Sequence, residues 1–327
     1  MERGDTMPSA QYLGHGISLL DVRDLGREKR TGTYVIQEEK LTIIETSGSP
    51  SIPYILQGLE QLGLKAADIQ YIIVTHIHLD HAGGAGLLLE KCPKAKVIVH
   101  PKGKRHLIDP SRLIQGAKAV YGEKFEEFFE PVVPVPEDRL IVKRDGETLE
   151  IGHDRILTFL DTPGHAYHHF SIYDPKSNGI FTGDTVGIIY TLLLENGLDF
   201  YLPTTSPNHF NPESMLQSAD RIEKLGISRI YFGHFGMSED PSAAFRQLRF
   251  WLPMFVEAGQ QVADSSLSFE KKTEAVYQTL KKKVTRYLDE RKVPRTSNVY
   301  EILDLDLTIC SMGIVDYFEK RMAKSEK

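Results

Sequence analysis

Residues 71–81 read Tyr71-Ile72-Ile73-Val74-Thr75-His76-Ile77-His78-Leu79-Asp80-His81. The first four have the composition of a buried strand. Three histidines and an aspartate then fall within six positions, 76–81. Such crowding near a sheet edge is unfavourable unless a metal organises it, because several polar rings would compete for few partners. Imidazole suits zinc and iron, and carboxylate suits harder cations. Alternation along an extended loop puts His76 and His78 on one side. Asp80 and His81 begin a turn into a helix and face a second point. The segment therefore offers ligands for two ions.

Three other segments follow the same rule, an apolar strand with a ligand type at its end. Ile156-Leu157-Thr158-Phe159-Leu160 leads into Asp161-Thr162-Pro163-Gly164-His165, Gly179-Ile180-Phe181-Thr182 into Gly183-Asp184, and Ile230-Tyr231-Phe232 into Gly233-His234. Strand ends are where binding residues collect in layered α/β folds. Glycine before each ligand lets the backbone turn sharply or approach closely.

The remaining pattern is mixed. Strands are expected near 33–37, 41–45, 71–74, 97–100, 155–160, 169–173, 179–182 and 229–232. Helices are expected at 53–62 before Gly63, at 86–91, and at 212–224, with Asn211 as N-cap and Pro212 at the first position. Residues 104–130 interrupt the strands as a helical insertion, closed by Pro131, Pro134 and Pro136. After Phe235 the strands are expected to stop, and helices at 241–263, 268–291 and 297–323 to follow. Pro253 is expected to kink or split the first, and the second carries Val276, Leu280, Val284, Tyr287 and Leu288 on one face. The expected organisation is a frayed terminus at 1–11, a catalytic domain at 12–238 and a C-terminal helical region at 239–327, an α/β or α+β layered architecture.

Composition narrows the function classes. The chain has 327 residues, 41% hydrophobic and 26% charged, as in an ordinary globular protein. No apolar run is long enough to span a bilayer, and residues 1–10 lack a secretory apolar stretch. The net charge of −6 gives no overall attraction for polyanions, so no nucleic-acid partner is expected. The run Lys281-Lys282-Lys283 reads as a solvated helix face. Cys92 and Cys310 form no CxxC pair and read as packing residues in a reducing, cytoplasmic setting. There is no GxSxG elbow, and Gly83-Gly84-Ala85-Gly86 fails the GxGxxG spacing, so these glycines read as close packing.

The ordered set His76-x-His78-x-Asp80-His81, Thr-Pro-Gly-His165, Gly-Asp184 and Gly-His234 resembles the metallo-β-lactamase superfamily over about residues 12–236, and most of all its glyoxalase II-like branch. The resemblance implies a four-layer αββα sandwich and two divalent metal ions, zinc first, with iron and manganese also suited to the donors. It implies that His76, His78 and His165 hold one metal, that Asp80, His81 and His234 hold the other, and that Asp184 bridges them. Asp80 would also act catalytically by orienting the nucleophile. The family's early Asp-Thr-Gly is replaced by Glu45-Thr46-Ser47-Gly48, which puts the hydrogen bonding around the ligands in question. His169 matches a second histidine of the family's motif, after His168 in place of glycine, and reads as a residue orienting a ligand.

The implied function is hydrolysis of a small ester-like molecule, a thioester or lactone first, by a metal-held hydroxide. Two alternatives stand beside it. Persulfide dioxygenases of the superfamily use one iron at positions matching His76, His165 and Asp184, and some relatives are nucleases or phosphodiesterases. Tyr190 and Tyr201, in the loop after Asp184, are candidates for an apolar substrate wall, with burial in the core as the competing reading. His100 is as much a structural residue as a site residue, His168 stands between solvent and the rim of the site, and His106, His153 and His209 read as surface or loop histidines. The apolar and charged faces of the C-terminal helices permit a homodimer.

Overall fold

The computed structural model describes residues 10–325. The chain forms two compact units. The first contains the chain up to Asp161 with His168–Gly183 and Ile227–Glu239; the second contains Thr162–Tyr167, Asp184–Gly226 and the chain from Asp240.

The first unit is built on two sheets. One has seven strands in chain order: β1 (Gln11–Gly14), β2 (Ile17–Asp21), β3 (Gly32–Ile36), β4 (Thr42–Ile44), β5 (Tyr71–Ile73), β6 (Lys96–Val99) and β7 (Leu140–Val142). Strands β1–β4 form an antiparallel meander, and β4–β7 run parallel. The other sheet begins with β8 (Thr148–Gly152), β9 (Arg155–Asp161), β10 (Phe170–Asp174) and β11 (Gly179–Gly183). The next two strands, β12 (Ile188–Ile189) and β13 (Tyr201–Leu202), pair as a ribbon of the second unit. Strands β14 (Arg229–Phe232) and β15 (Gly236–Ser238) then complete the second sheet, in the order β15-β14-β11-β10-β9-β8.

Side-chain alternation explains the packing. Ile17, Leu19, Tyr34, Ile36, Ile44, Ile73 and Ile98 of the first sheet share a core with Leu149, Leu157, Phe159, Phe170, Ile172, Phe181 and Tyr231 of the second. The alternate residues Leu20, Val35, Ile43, Ile72, Val97 and Val99 pack on the opposite side with Ile52, Ile55 and Leu59 of helix α1 (Ile52–Gln61). Strands β4, β5 and β6 are thus packed on both faces, which is why Tyr71–Val74 reads as a continuous apolar run. Two short helices follow β5, α2 (Leu79–Ala82) and α3 (Ala85–Leu89). A Cβ on Gly86 would meet the Val133 carbonyl oxygen at 2.0 Å, so this glycine serves close packing.

The insertion is helical as expected: α4 (Lys104–Ile108), α5 (Ser111–Tyr121) and α6 (Phe125–Phe129), with Phe125 and Phe129 buried. The largest polar burial of the unit is Arg155, whose guanidinium donates to both carboxylate oxygens of Asp174, at 3.1 and 2.5 Å, with neither side chain exposed.

The second unit holds the short α7 (Thr191–Leu194), α8 (Pro212–Glu223), α9 (Pro241–Ala263), α10 (Phe269–Glu290) and α11 (Val299–Ser325). Asn211 caps α8 by accepting from the Ser214 N–H at 2.7 Å. Val276, Leu280, Val284 and Leu288 of α10 are buried, and Tyr287 lies edge-on to Trp251 of α9 at 5.1 Å.

Three expectations need correction. The strands do not stop at Phe235, because Gly236–Ser238 forms β15 antiparallel to β14. Gln11 is not frayed; it opens β1 opposite Leu19. Residues 1–9 of the expected frayed end lie outside the described residues. Pro253 does not split α9, which is one helix from Pro241 to Ala263. Proline removes one backbone bond, but buried Leu248, Trp251, Leu252 and Phe255 on either side hold the helix together. Among the described residues no helix is long and apolar enough to cross a membrane.

Candidate metal centre

The donors of the first unit sit where parallel strands end. Strand β5 delivers His76 and His78, α2 carries Asp80 and His81, and β14 leads through Gly233 to His234. Both β5 and β14 run parallel to a neighbour, β4 and β11, so their carboxyl ends share an edge with those neighbours.

The loop alternation brings His76 and His78 together. His76 Nε2 lies 3.1 Å from His78 Nδ1. Two nitrogens bound about 2.05 Å from one tetrahedral zinc lie about 3.3 Å apart, so this spacing is that of a coordination edge. The turn into α2 sends the next donors elsewhere. Ligand atoms of Asp80, His81 and His234 all lie within 4.8 Å of one another, with Asp80 Oδ2 3.9 Å from Nε2 of both histidines.

The hydrogen positions on these rings follow from their partners. His234 Nδ1 lies 3.3 Å from the Arg30 carbonyl oxygen, which can only accept. The hydrogen is therefore on Nδ1, and Nε2 presents a lone pair. Thr31 Oγ1 is 3.3 Å from the same Nδ1, while its hydroxyl donates to Asp24 Oδ2 at 3.0 Å. His81 Nδ1 faces the Glu45 carboxylate, 3.3 Å from Oε2. His76 Nδ1 is held by Thr75 Oγ1 at 3.0 Å. In the Asp80 group a carboxylate thus faces the His234 lone pair, with the His81 ring at the same 3.9 Å distance. Acceptors that point at each other repel unless a cation lies between them, and the donor set fits a divalent metal on that ground.

Glu45, where the resemblance has aspartate, is buried against the histidine segment. Its Oε1 accepts from the Thr75 N–H at 3.1 Å while Oε2 faces His81. Its backbone is left-handed, with φ at 69°, which turns the chain out of β4. Asp24 is buried and takes Arg30 at 3.1 Å and the Ser47 hydroxyl at 2.7 Å. Burial pushes its carboxyl above the usual range, with the Arg30 guanidinium opposing.

His169 is buried, its ring 5.1 Å from that of His76. A Cβ on Gly183 would meet His169 Nε2 and Thr75 Oγ1 at 2.5 Å, so glycine is required at the end of β11, also by its φ of 47°. His168 is buried, which corrects the solvent alternative; its Nδ1 accepts from the Ile77 N–H at 3.5 Å. His100 is buried between the Lys102 N–H and Asp161 Oδ1, each at 3.2 Å. Burial pulls its pKa down and the aspartate opposes.

In the second unit His165 Nε2 lies 3.6 Å from Asp184 Oδ2. His165 Nδ1 is 2.7 Å from Thr204 Oγ1, whose hydroxyl donates to the Asp184 carbonyl at 3.0 Å. With that hydrogen committed, Nδ1 donates to Thr204, and Nε2 again presents its lone pair. Tyr190 is buried with its hydroxyl donating to Asp306 at 3.0 Å, and Tyr201 is buried in β13. His209 stacks on Tyr167 at 4.6 Å. The orienting groups Thr31, Asp24 and Thr204 carried no signal in the sequence beyond being hydroxyl or acidic residues beside strands.

Residues 28–234 match the model of the metallo-beta-lactamase superfamily, and the chain belongs to that superfamily. Its fold is the metallo-β-lactamase fold, with mixed sheets and C-terminal helices. A metallo-beta-lactamase fold-containing protein, ST1585 of Sulfurisphaera tokodaii, is 29% identical over 207 residues, 62% of this chain and 72% of that one. The ST1585 crystal structure superposes with a TM-score of 0.66 over 92% of this chain and 98% of that chain, at 22% identity. A metallo-beta-lactamase family protein, TTHA1429 of Thermus thermophilus, gives 0.67 over 95% and 96%, also at 22% identity. The hydroxyacylglutathione hydrolase of a Synechococcus species is 27% identical over 177 residues, 54% of this chain and 53% of that one.

Proposed function

We propose that the chain is a metal-dependent hydrolase whose binuclear centre is held by His76, His78, Asp80, His81, His165, Asp184 and His234. The observation that carries this reading is the pair of imidazoles whose Nδ1 hydrogens are tied to the scaffold, leaving Nε2 of His234 and His165 as lone-pair donors beside Asp80 and Asp184. Chain connectivity supports joining the two groups of donors. His165 lies in the segment Thr162–Tyr167, bounded at both ends by residues of the first unit, and Asp184 directly follows Gly183.

When bound, two divalent cations supply Lewis acidity and bring the pKa of a shared water toward neutrality. The protein's own part is positioning. Asp80 is 15% exposed against 0% for His81 and 5% for His234, so its carboxylate reaches furthest toward incoming molecules. It accepts a hydrogen from the attacking water and fixes its direction. The order of donors, and the similarity to a hydroxyacylglutathione hydrolase over about half of each chain, favour an acyl thioester first and a lactone second.

The test is a panel of acyl thioesters and lactones given to protein loaded with zinc, manganese or iron, with metal counted by elemental analysis. Two ions per chain, turnover of a thioester or lactone, and a loss of about 100-fold or more in Asp80→Asn are expected. One tightly held iron with persulfide-dependent oxygen uptake would replace this reading with the dioxygenase one, and no turnover with any loaded metal would end it.

A further inference from the structure

The segment Pro203–Ser206 surrounds the His165 ring with hydroxyls. Thr204 Oγ1 takes the Nδ1 hydrogen, as above. Ser206 Oγ lies 3.3 Å from Nε2 of the same ring. Because the ring's hydrogen is on Nδ1, the Ser206 hydroxyl is the donor in that contact, and it lies on the lone pair that a metal would need.

This segment is braced by the C-terminal helix. The Thr205 hydroxyl donates to the Cys310 carbonyl at 2.8 Å, and the Cys310 thiol points to the Pro203 carbonyl at 3.7 Å. Gly313 of α11 abuts the segment so closely that a Cβ there would fall 1.7 Å from the Thr205 carbonyl oxygen. Only glycine admits this approach.

We propose that Thr204 is the positioning residue of the ligand His165, that Ser206 competes with the metal for its Nε2, and that α11 sets both through Gly313. The inference rests on His165 being a metal ligand. It assigns the C-terminal helix a part in building the centre, and it gives two neighbouring hydroxyls opposite effects on the same metal. Removing Thr204's hydroxyl frees the ring to rotate or change tautomer. Removing Ser206's hydroxyl takes away a hydrogen bond that metal binding must break.

The experiment titrates the full chain with cobalt(II), reading the visible absorption of the bound ion and its affinity by competition with a chromophoric chelator. Thr204→Val is expected to weaken binding 10- to 100-fold and to change the cobalt spectrum, with Thr204→Ser restoring both. Ser206→Ala is expected to bind about fivefold more tightly with the wild-type spectrum. Gly313→Ala is expected to follow Thr204→Val; if it does not fold, the two hydroxyl variants still decide the matter. Wild-type protein that binds no cobalt overturns the metal-centre reading itself. Cobalt bound by wild type and by Thr204→Val with equal affinity and identical spectra overturns only this inference, as does a weakened Ser206→Ala.

Discussion

At the scale of single residues, the ligands and the groups that orient them were unequally legible. His76, His78, Asp80 and His81 announce themselves by crowding after an apolar strand, and His165, Asp184 and His234 by repeating the strand-then-ligand rule. Thr31 does not, because its meaning comes from a contact with His234 across 203 positions. Thr31→Val removes that contact and the Thr31 bond to Asp24, leaving the Arg30 carbonyl to hold the ring alone. Metal affinity should fall about 10-fold, at the low end for such orienting groups, measured by chelator competition. Arg155 gives a prediction outside the site. Replacing it by Met leaves Asp174 buried without its guanidinium, which should cost about 3–5 kcal/mol in urea unfolding. The two cysteines give a third. Burial pushes the Cys92 and Cys310 thiols up to about 12, so both stay protonated at pH 8. Native protein should resist iodoacetamide at that pH, and both thiols should react once the chain is unfolded; rapid labelling of the folded chain would contradict the burial.

At the scale of elements, periodicity found the long helices and most of the doubly buried strands. The parallel strands β4, β5, β6, β11 and β14 and the three C-terminal helices lie close to where their apolar patterns place them. Strands β1 and β8 escaped because their alternation is diluted by polar residues such as Gln11, Thr148 and Glu150; β7, β12, β13 and β15 escaped because they are two or three residues long, and β2 because its short apolar run is interrupted by Ser18 although it is buried. Of the two outcomes expected at Pro253, a kink or a split, the split does not occur. The proline still has a cost that can be recovered. Pro253 is exposed, so alanine there disturbs no core packing and restores an N–H for the Arg249 carbonyl. Pro253→Ala should stabilise the chain by about 1–3 kcal/mol. An unchanged or lower denaturation midpoint would mean that α9 is bent around the proline and packed in that shape.

At the scale of the whole molecule, the proposed donors span residues 76–234, on segments that only the folded chain holds in place. The unfolded chain keeps the short His76–His81 cluster but loses its partners from β14 and from the loop after β9. An ion that binds the folded arrangement in preference therefore stabilises it by mass action, about 2.7 kcal/mol per site at one hundred times the dissociation constant. Two sites give about 5 kcal/mol, which for a chain of this size corresponds to a melting shift on the order of 10 °C. Residual binding to the unfolded His76–His81 cluster reduces this somewhat. Protein stripped with a chelator should melt lower by that order, and adding back zinc should restore the loss in step with occupancy. The fold itself should survive stripping, because the core between the sheets is apolar and contains none of the donors. Far-ultraviolet circular dichroism should therefore be unchanged at 25 °C. Collapse of that signal would mean that the metal builds the fold, whereas a melting point indifferent to zinc would mean that the acceptor groups around Asp80 tolerate one another without a cation.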